Sequence, residues 1–130
     1  MIEIQAPLFL VLPNNPLKKY FLSFNNYHTW PIHIRGKLRR AYCDLIKGKA
    51  EELHERFSCN IHCEVVVHPP NDGRIRDSDN HGFLHAKWTN DALTEVGCWV
   101  DDQRVVQVTL KMGEYCNDSP HATIRYTPAP

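Results

Sequence analysis

The sequence predicts an α+β fold, a mixed β-sheet of about four strands with two main helices packed on it. Three observations carry that expectation. Segments 35–57 and 83–96 repeat apolar residues at helical spacing. Segments 2–12, 61–67, 105–112 and 122–127 are rich in β-branched, aromatic and other apolar residues. Their order, βαβ, a loop, then αββ, is not the strict βα alternation of an all-parallel sheet. At 130 residues the chain is expected to be one domain, 1–130. It is long enough to bury about two-thirds of the surface of its unfolded form, so it needs no staple.

Ile2 to Leu12 reads as a strand, ended by Pro13-Asn14-Asn15-Pro16. Residues 17–34 carry aromatic and polar side chains without a clean period, which suggests a long ordered loop or short irregular pieces. From Arg35 to Phe57 the apolar positions are Leu38, Ala41, Tyr42, Leu45, Ile46, Ala50, Leu53 and Phe57, a helical stripe. Gly48 weakens its middle by about 1 kcal/mol relative to alanine. Ile61, Cys63, Val65 and Val67 then alternate with His62, Glu64 and Val66, a strand with one strongly apolar face. Pro69-Pro70-Asn71-Asp72-Gly73 breaks the chain. A second helix is expected from Phe83 to Val96, with Leu84, Trp88, Ala92 and Val96 near one stripe. Asp79 or Asn80 would cap its start and Gly97 its end. Val105–Met112 and Ala122–Thr127 complete the strands, and the Pro-Ala-Pro terminus is expected to fray.

Formal net charge is zero, with 15 basic and 15 acidic residues, so the total does not point to a polyanion. The distribution does more. Lys18, Lys19, Arg35, Lys37, Arg39, Arg40, Lys47 and Lys49 share a segment whose sole acid is Asp44. Such a segment is either a solvated helix face or a surface that holds a polyanion. Lys18 and Lys19 soon interrupt the first apolar run, so no membrane span is expected. The N-terminus lacks a basic n-region, and a cytoplasmic location follows as the expectation. Five cysteines without CxxC spacing fit reduced thiols better than a disulfide framework. Cys59 and Cys63, with His62 or His54, have the residue types of a zinc site. A strand at 61–67 would turn His62 away from Cys63, which favours buried or idle thiols.

The chemistry concentrates in Arg74-Ile75-Arg76-Asp77-Ser78-Asp79-Asn80. An extended segment places Asp77 and Asp79 on one face. Two carboxylates that close repel each other, and a bound cation relieves the repulsion. Hard divalent cations use one or two carboxylates and leave room for water and phosphate. The plainer reading of the same residues is a polar turn with an N-cap. A second pair, Asp101-Asp102, follows Trp99-Val100. The helix between the two pairs would hold them apart, so sheet neighbours must bring the second back to the first. Lys87 lies within that helix, facing either a phosphate or solvent. His81 and His85 are the histidines nearest the motif; they suit DNA or metal contact, or polar positions on a helix edge.

Taken together, Arg76-Asp77-Ser78-Asp79-Asn80, Lys87, Asp91-Ala92-Leu93-Thr94, Gly97, Trp99, Asp101-Asp102 and Val105 resemble the core of the RusA Holliday junction resolvases. The resemblance spans residues 74–112; Leu22-Ser23-Phe24-Asn25-Asn26 resembles the family's N-terminal part more loosely. The chain departs from the pattern by a short insertion around His81-Gly82-Phe83-Leu84. The resemblance implies a homodimeric endodeoxyribonuclease that nicks four-way DNA junctions symmetrically with Mg2+ or Mn2+. It implies metal ligation by Asp77, Asp79 and Asp102, a catalytic role for Lys87, and Arg76 beside the motif. Arg74 and Arg76, with Lys18, Lys19, Arg35, Lys37, Arg39 and Arg40, would then bind the DNA backbone. The alternative is a branched-DNA-binding protein with weak or no catalysis.

Overall fold

Alternation along the chain builds a four-stranded sheet whose apolar face is covered by helices. The computed structural model describes residues 1–130. In chain order it contains β1 (Ile2–Pro7), β2 (Phe9–Leu12), β3 (Asn15–Phe21), α1 (Phe24–Thr29), α2 (Ile32–Ala50), β4 (Ile61–His68), α3 (Ser78–Glu95), β5 (Val105–Met112) and β6 (His121–Pro128). The main sheet has the order β1-β6-β4-β5, and β2 and β3 form a separate hairpin. β6 is antiparallel to both β1 and β4, whereas β5 runs parallel to β4. Parallel neighbours need a long crossover, and α3 supplies it. The fold is therefore α+β with a mixed sheet, as expected. No helix is long and apolar enough to cross a membrane.

Ile61, Cys63, Val65 and Val67 of β4 are fully buried, as are Ala122, Ile124 and Tyr126 of β6. They meet Leu38, Tyr42 and Ile46 of α2 and Leu84, Trp88, Ala92 and Leu93 of α3 in one core. The opposite sheet face carries a row of charges. Arg125 bonds Glu3 at 2.7 Å and Glu64 at 3.5 Å, and Lys111 reaches Glu64 at 3.1 Å. One strand thus contributes one charge, from β1 through β6 and β4 to β5.

Several boundaries differ from expectation. The run 2–12 divides at Leu8, whose carbonyl accepts from Leu22 N at 2.9 Å, so its second half leaves the main sheet for the hairpin. Residues 17–34 are not a loop: they hold most of β3, all of α1 and the start of α2. α2 ends at Ala50 rather than Phe57, although Leu53 and Phe57 still pack on the core. α3 starts at Ser78 rather than Phe83, because Asp77 rather than Asp79 or Asn80 is its N-cap. Its end follows the expectation: Gly97 takes φ +83°, which favours glycine, and donates to Thr94 O at 3.1 Å.

The zinc reading of Cys59 and Cys63 does not survive the fold. Cys63 points into the core, where burial pushes its thiol up to about 12, while Cys59 is exposed. His62 lies on the other sheet face, 2.7 Å from Thr109 Oγ1. His85 is equally unavailable to DNA or metal. It is fully buried, with Nδ1 2.9 Å from Tyr42 Oη, which also lies 3.0 Å from Thr89 Oγ1.

Burial lowers the His85 pKa from 6.5 to about 3. The unfolded chain therefore takes up a proton before the folded one, and stability is lost as pH falls from 6.5 towards 3. Urea midpoints measured across that window should fall less steeply for His85→Leu than for the parent. Equal slopes would show that this histidine does not couple to folding.

Candidate functional site

The loop between β4 and α3 is held by an arginine. Arg76 donates through Nη1 to Asp72 Oδ1 at 2.9 Å and through Nη2 to Asp72 Oδ2 at 2.8 Å. Its guanidinium lies 5.2 Å from the centre of the Phe21 ring, and its side chain is only 6% exposed. A planar fork suits both contacts at once. Arg76 therefore fastens the loop to β3 and is not free to bind a DNA backbone. Hydrogen bonding to Arg76 in turn holds the Asp72 carboxyl well below the usual carboxylate range. Arg74, by contrast, is exposed and makes no ion pair.

The loop delivers Asp77 and Asp79 to the start of α3. Asp77 Oδ1 accepts from Asn80 N at 2.7 Å, which leaves Oδ2 uncommitted. Asp79 sits in the first helical turn, exposed and without an ion-pair partner. Asn80 Oδ1 accepts from Asn25 N at 2.7 Å and so ties the start of α1 to the start of α3. Around these groups opens a cleft of about 520 Å³, lined by Asp77, Asp79, Asn80, Asn25, Phe24, Phe83 and Leu110. A second hollow of about 350 Å³ shares Asn25 and Asn80 and contains Arg74 and Phe9. Two carboxylates with uncommitted oxygens on an open cleft match the donor set of a hard divalent cation that keeps part of its water shell.

The remaining acids are elsewhere in the chain. Asp101 caps the short 3₁₀ turn Asp102–Arg104, its Oδ1 accepting from Gln103 N at 2.9 Å. Asp102 is exposed with no side-chain hydrogen bond, so it is the freer of the pair. Both follow the C-terminal end of α3, whereas Asp77 and Asp79 occupy its N-terminal end. At 1.5 Å per residue that helix is about 27 Å long. β5 returns to the Asp77 end only at Leu110, which lies so near Gly82 that a Cβ there would sit 3.2 Å from Leu110 Cδ2. A single chain consequently does not bring Asp102 to Asp77 and Asp79.

Lys87 is also displaced from the pair. It stands about 12 Å along the helix axis from Asp79, and its ammonium is 3.4 Å from Asp91. Asp91 accepts as well from Arg39 at 3.1 Å, and Glu95 pairs with both Arg39 and Lys47. These ions clasp α2 to α3, which accounts for Arg39. Arg35 donates to Trp30 O at 2.9 Å and His28 O at 3.0 Å and closes the end of α1. Of the expected DNA-binding set, Lys18, Lys19, Lys37, Arg40 and Arg74 remain outside both the ion pairs and the carbonyl contacts that hold Arg35. Lys18 lies over the Tyr20 ring and Lys19 over Phe9, on the hairpin beside the loop.

Sequence reasoning missed the lining supplied by Phe24 and Phe83, whose rings meet edge to face at 5.0 Å. The signal for Phe24 was Ser23, which caps α1 by accepting from Asn26 N at 3.1 Å. His81 is mostly buried, with Nδ1 3.0 Å from Asp77 O, and steadies the same helix start. No family model matches the chain, and no curated protein matches it either.

The Asp72–Arg76 pair gives a direct test of the loop. Asp72 has a lowered folded pKa, so its contribution is complete above 3.8 and is lost as pH falls below that value. Carboxyl-carbon NMR should show Asp72 ionised well below pH 3.8 in the parent and titrating in the ordinary range in Arg76→Leu. An unchanged titration in the variant would mean that the guanidinium does not hold the carboxylate in solution.

Proposed function

We propose that the chain is a divalent-metal-dependent endodeoxyribonuclease of branched DNA that acts as a homodimer. The observation that carries this reading is the placement of Asp77 and Asp79. They are exposed and outside any ion pair on an open cleft, and the adjoining hollow, which shares Asn25 and Asn80 with it, contains Arg74 and the Phe9 ring that Lys19 overlies. The resemblance to the RusA resolvases supports the same chemistry and four-way junctions as substrate. Asp77, through Oδ2, and Asp79 would hold Mg2+ or Mn2+. A bound metal supplies an activated water and stabilises charge on the attacked phosphate. Arg74, Lys18 and Lys19 would grip the backbone, with Lys37 and Arg40 extending the track. Affinity should accordingly fall steeply with salt.

Asp102 enters this site only from a second copy. β5 is an edge strand, and Val106 and Val108 on it are 55% and 46% exposed. Two β5 edges paired antiparallel about a two-fold axis would carry each Asp102 towards the Leu110 end of its neighbour, where Asp77 and Asp79 stand. Such an isologous dimer has two equivalent sites, matching the near two-fold symmetry of a four-way junction. The pairing would also cover the exposed edge, which otherwise invites uncontrolled association.

A second reading, a branched-DNA-binding protein without catalysis, has its own support. Lys87 and Arg76 are engaged in ion pairs, and one chain does not gather three acids.

Nicking of a labelled four-way junction, against linear duplex and with magnesium, manganese or chelator, separates the two. Cleavage confined to the junction and to added metal is expected. Asp77→Asn should abolish it while binding persists, since asparagine still caps the helix. A mixture of Asp77→Asn/Asp79→Asn subunits with Asp102→Asn subunits should regain nicking, because one site in each mixed dimer is intact. Failure of the mixture alone would exclude the shared site. Junction shifts without product would leave the binding protein, and no shift at all would sink both.

A further inference from the structure

The cleft that holds Asp77 and Asp79 is larger than a hydrated cation needs. A divalent ion with an octahedral water shell, at about 30 Å³ per water, fills about a third of the 520 Å³. Phe24, Phe83 and Leu110 line the same cleft. The two phenylalanine rings meet with centroids 5.0 Å apart and planes 69° from parallel, and the residues stay 37% and 43% exposed. Rings that served only to dock α1 on α3 would be buried between the helices. Two rings at that angle form a corner that takes a third flat ring, stacked on one and edge-on to the other.

The corner is held in place. His28 braces Phe24 edge to face at 4.4 Å, and the Tyr27 ring lies parallel to it. The bond from Asn25 N to Asn80 Oδ1 fixes α1 against α3. Phe83 lies one turn beyond Asp79, so the two side chains are neighbours on one face of α3. The Asn25 side-chain amide and Asn80 Nδ2 have no hydrogen-bond partner in the protein. They offer the donors and, on Asn25, the acceptor that the edge of a base requires.

We propose that the Phe24–Phe83 corner receives one unstacked nucleobase of the DNA strand whose phosphate lies at Asp77 and Asp79. Its premise is the DNA-cleaving reading above, to which it adds what the site selects, a nucleotide already free of its stack. An occupant of the whole cleft offers a flat apolar face and, one helical turn away, a group that a carboxylate-bound cation can hold. A nucleotide carries both, in its base and its phosphate. Stacking on an aromatic ring tolerates every base, so the corner reads whether a base is unstacked rather than which base it is. Bases leave a duplex most cheaply where pairing is already interrupted, as at a branch point. The site would therefore favour branched over linear DNA without reading a sequence. Phe83 falls in the short insertion that departs from the resolvase pattern, so the corner is a feature of this chain rather than of that pattern.

A synthetic four-way junction tests the contact, with Ca2+ in place of Mg2+ to hold the strands intact. 2-Aminopurine placed at each nucleotide flanking the branch point in turn should brighten at one of them when the parent protein binds. Phe83→Leu, which keeps an apolar side chain against Phe24, should lose that rise and bind the junction about tenfold more weakly. Phe83→Tyr should keep both. On a junction abasic at the same nucleotide, parent and Phe83→Leu should bind alike, because the ring then has nothing to stack on. A difference of the same size on the abasic junction would show that Phe83 acts through the fold and would overturn the proposal, as would an unchanged 2-aminopurine signal at every position. No binding to any junction would instead remove the DNA reading itself, and the corner with it.

Discussion

The hydrogen bond from Asn80 N to Asp77 Oδ1, 2.7 Å long, decides where α3 begins, and the candidate site depends on that start. It brings Asp79 into the first turn and aims Asn80 at α1, where its side-chain oxygen receives Asn25 N. The same carboxylate thus caps a helix and lines the cleft. Capping uses one oxygen and fixes the side chain, so the other is left free on a residue that lines the cleft. Arg76, immediately before it, cannot share the task of gripping a ligand because Asp72 and Phe21 already hold it. The loop is therefore built inward at Arg76 and outward at Arg74 and Ile75, the latter fully exposed.

The charges divide in a similar way between architecture and availability. Arg39 and Lys47 face Asp91 and Glu95 across the α2–α3 seam, Lys87 pairs with Asp91 along α3 itself, and Arg35 is taken up by carbonyls at the end of α1. Exposed ion pairs contribute little to stability. They do fix orientation, and they remove those cations from the pool open to a polyanion. What remains lies mainly on the hairpin, the adjoining face of α2 and the β4–α3 loop.

Much of this fold was legible in the sequence, for identifiable reasons. β4 alternates cleanly because one face is core and the other is open, and β5 has the bounds expected of it. The α2 stripe is real at Leu38, Tyr42, Ile46 and Ala50, although Leu45 faces solvent. The division of the first apolar run was not legible: Leu8 is buried like Ile2, Ile4 and Ala6 before it, so no break in hydropathy marks the passage from one sheet to another. β3 was hidden for the opposite reason, since Asn15 to Lys19 are all exposed and show no alternation. At the site, Asp77, Asp79 and Asn80 are all good caps, and only the phase of α3 against the core selects the first. Sequence order also could not say that Asp102 stands at the far end of the helix. That distance follows from the crossover linking β4 to β5.

The row Glu3–Arg125–Glu64–Lys111 has a consequence for the molecule as a whole. Its two positive and two negative side chains cancel strand by strand, so the uncovered sheet face offers a polyanion no net pull. The same matched charges must be desolvated before anything flat can lie against them, which keeps that face wet. Were the proposed polyanion to bind, this face would not attract it, and the cations left outside ion pairs on the hairpin and the loop would decide where it lies. The back of the sheet is an electrostatically silent wall, its charges matched from one edge strand to the other.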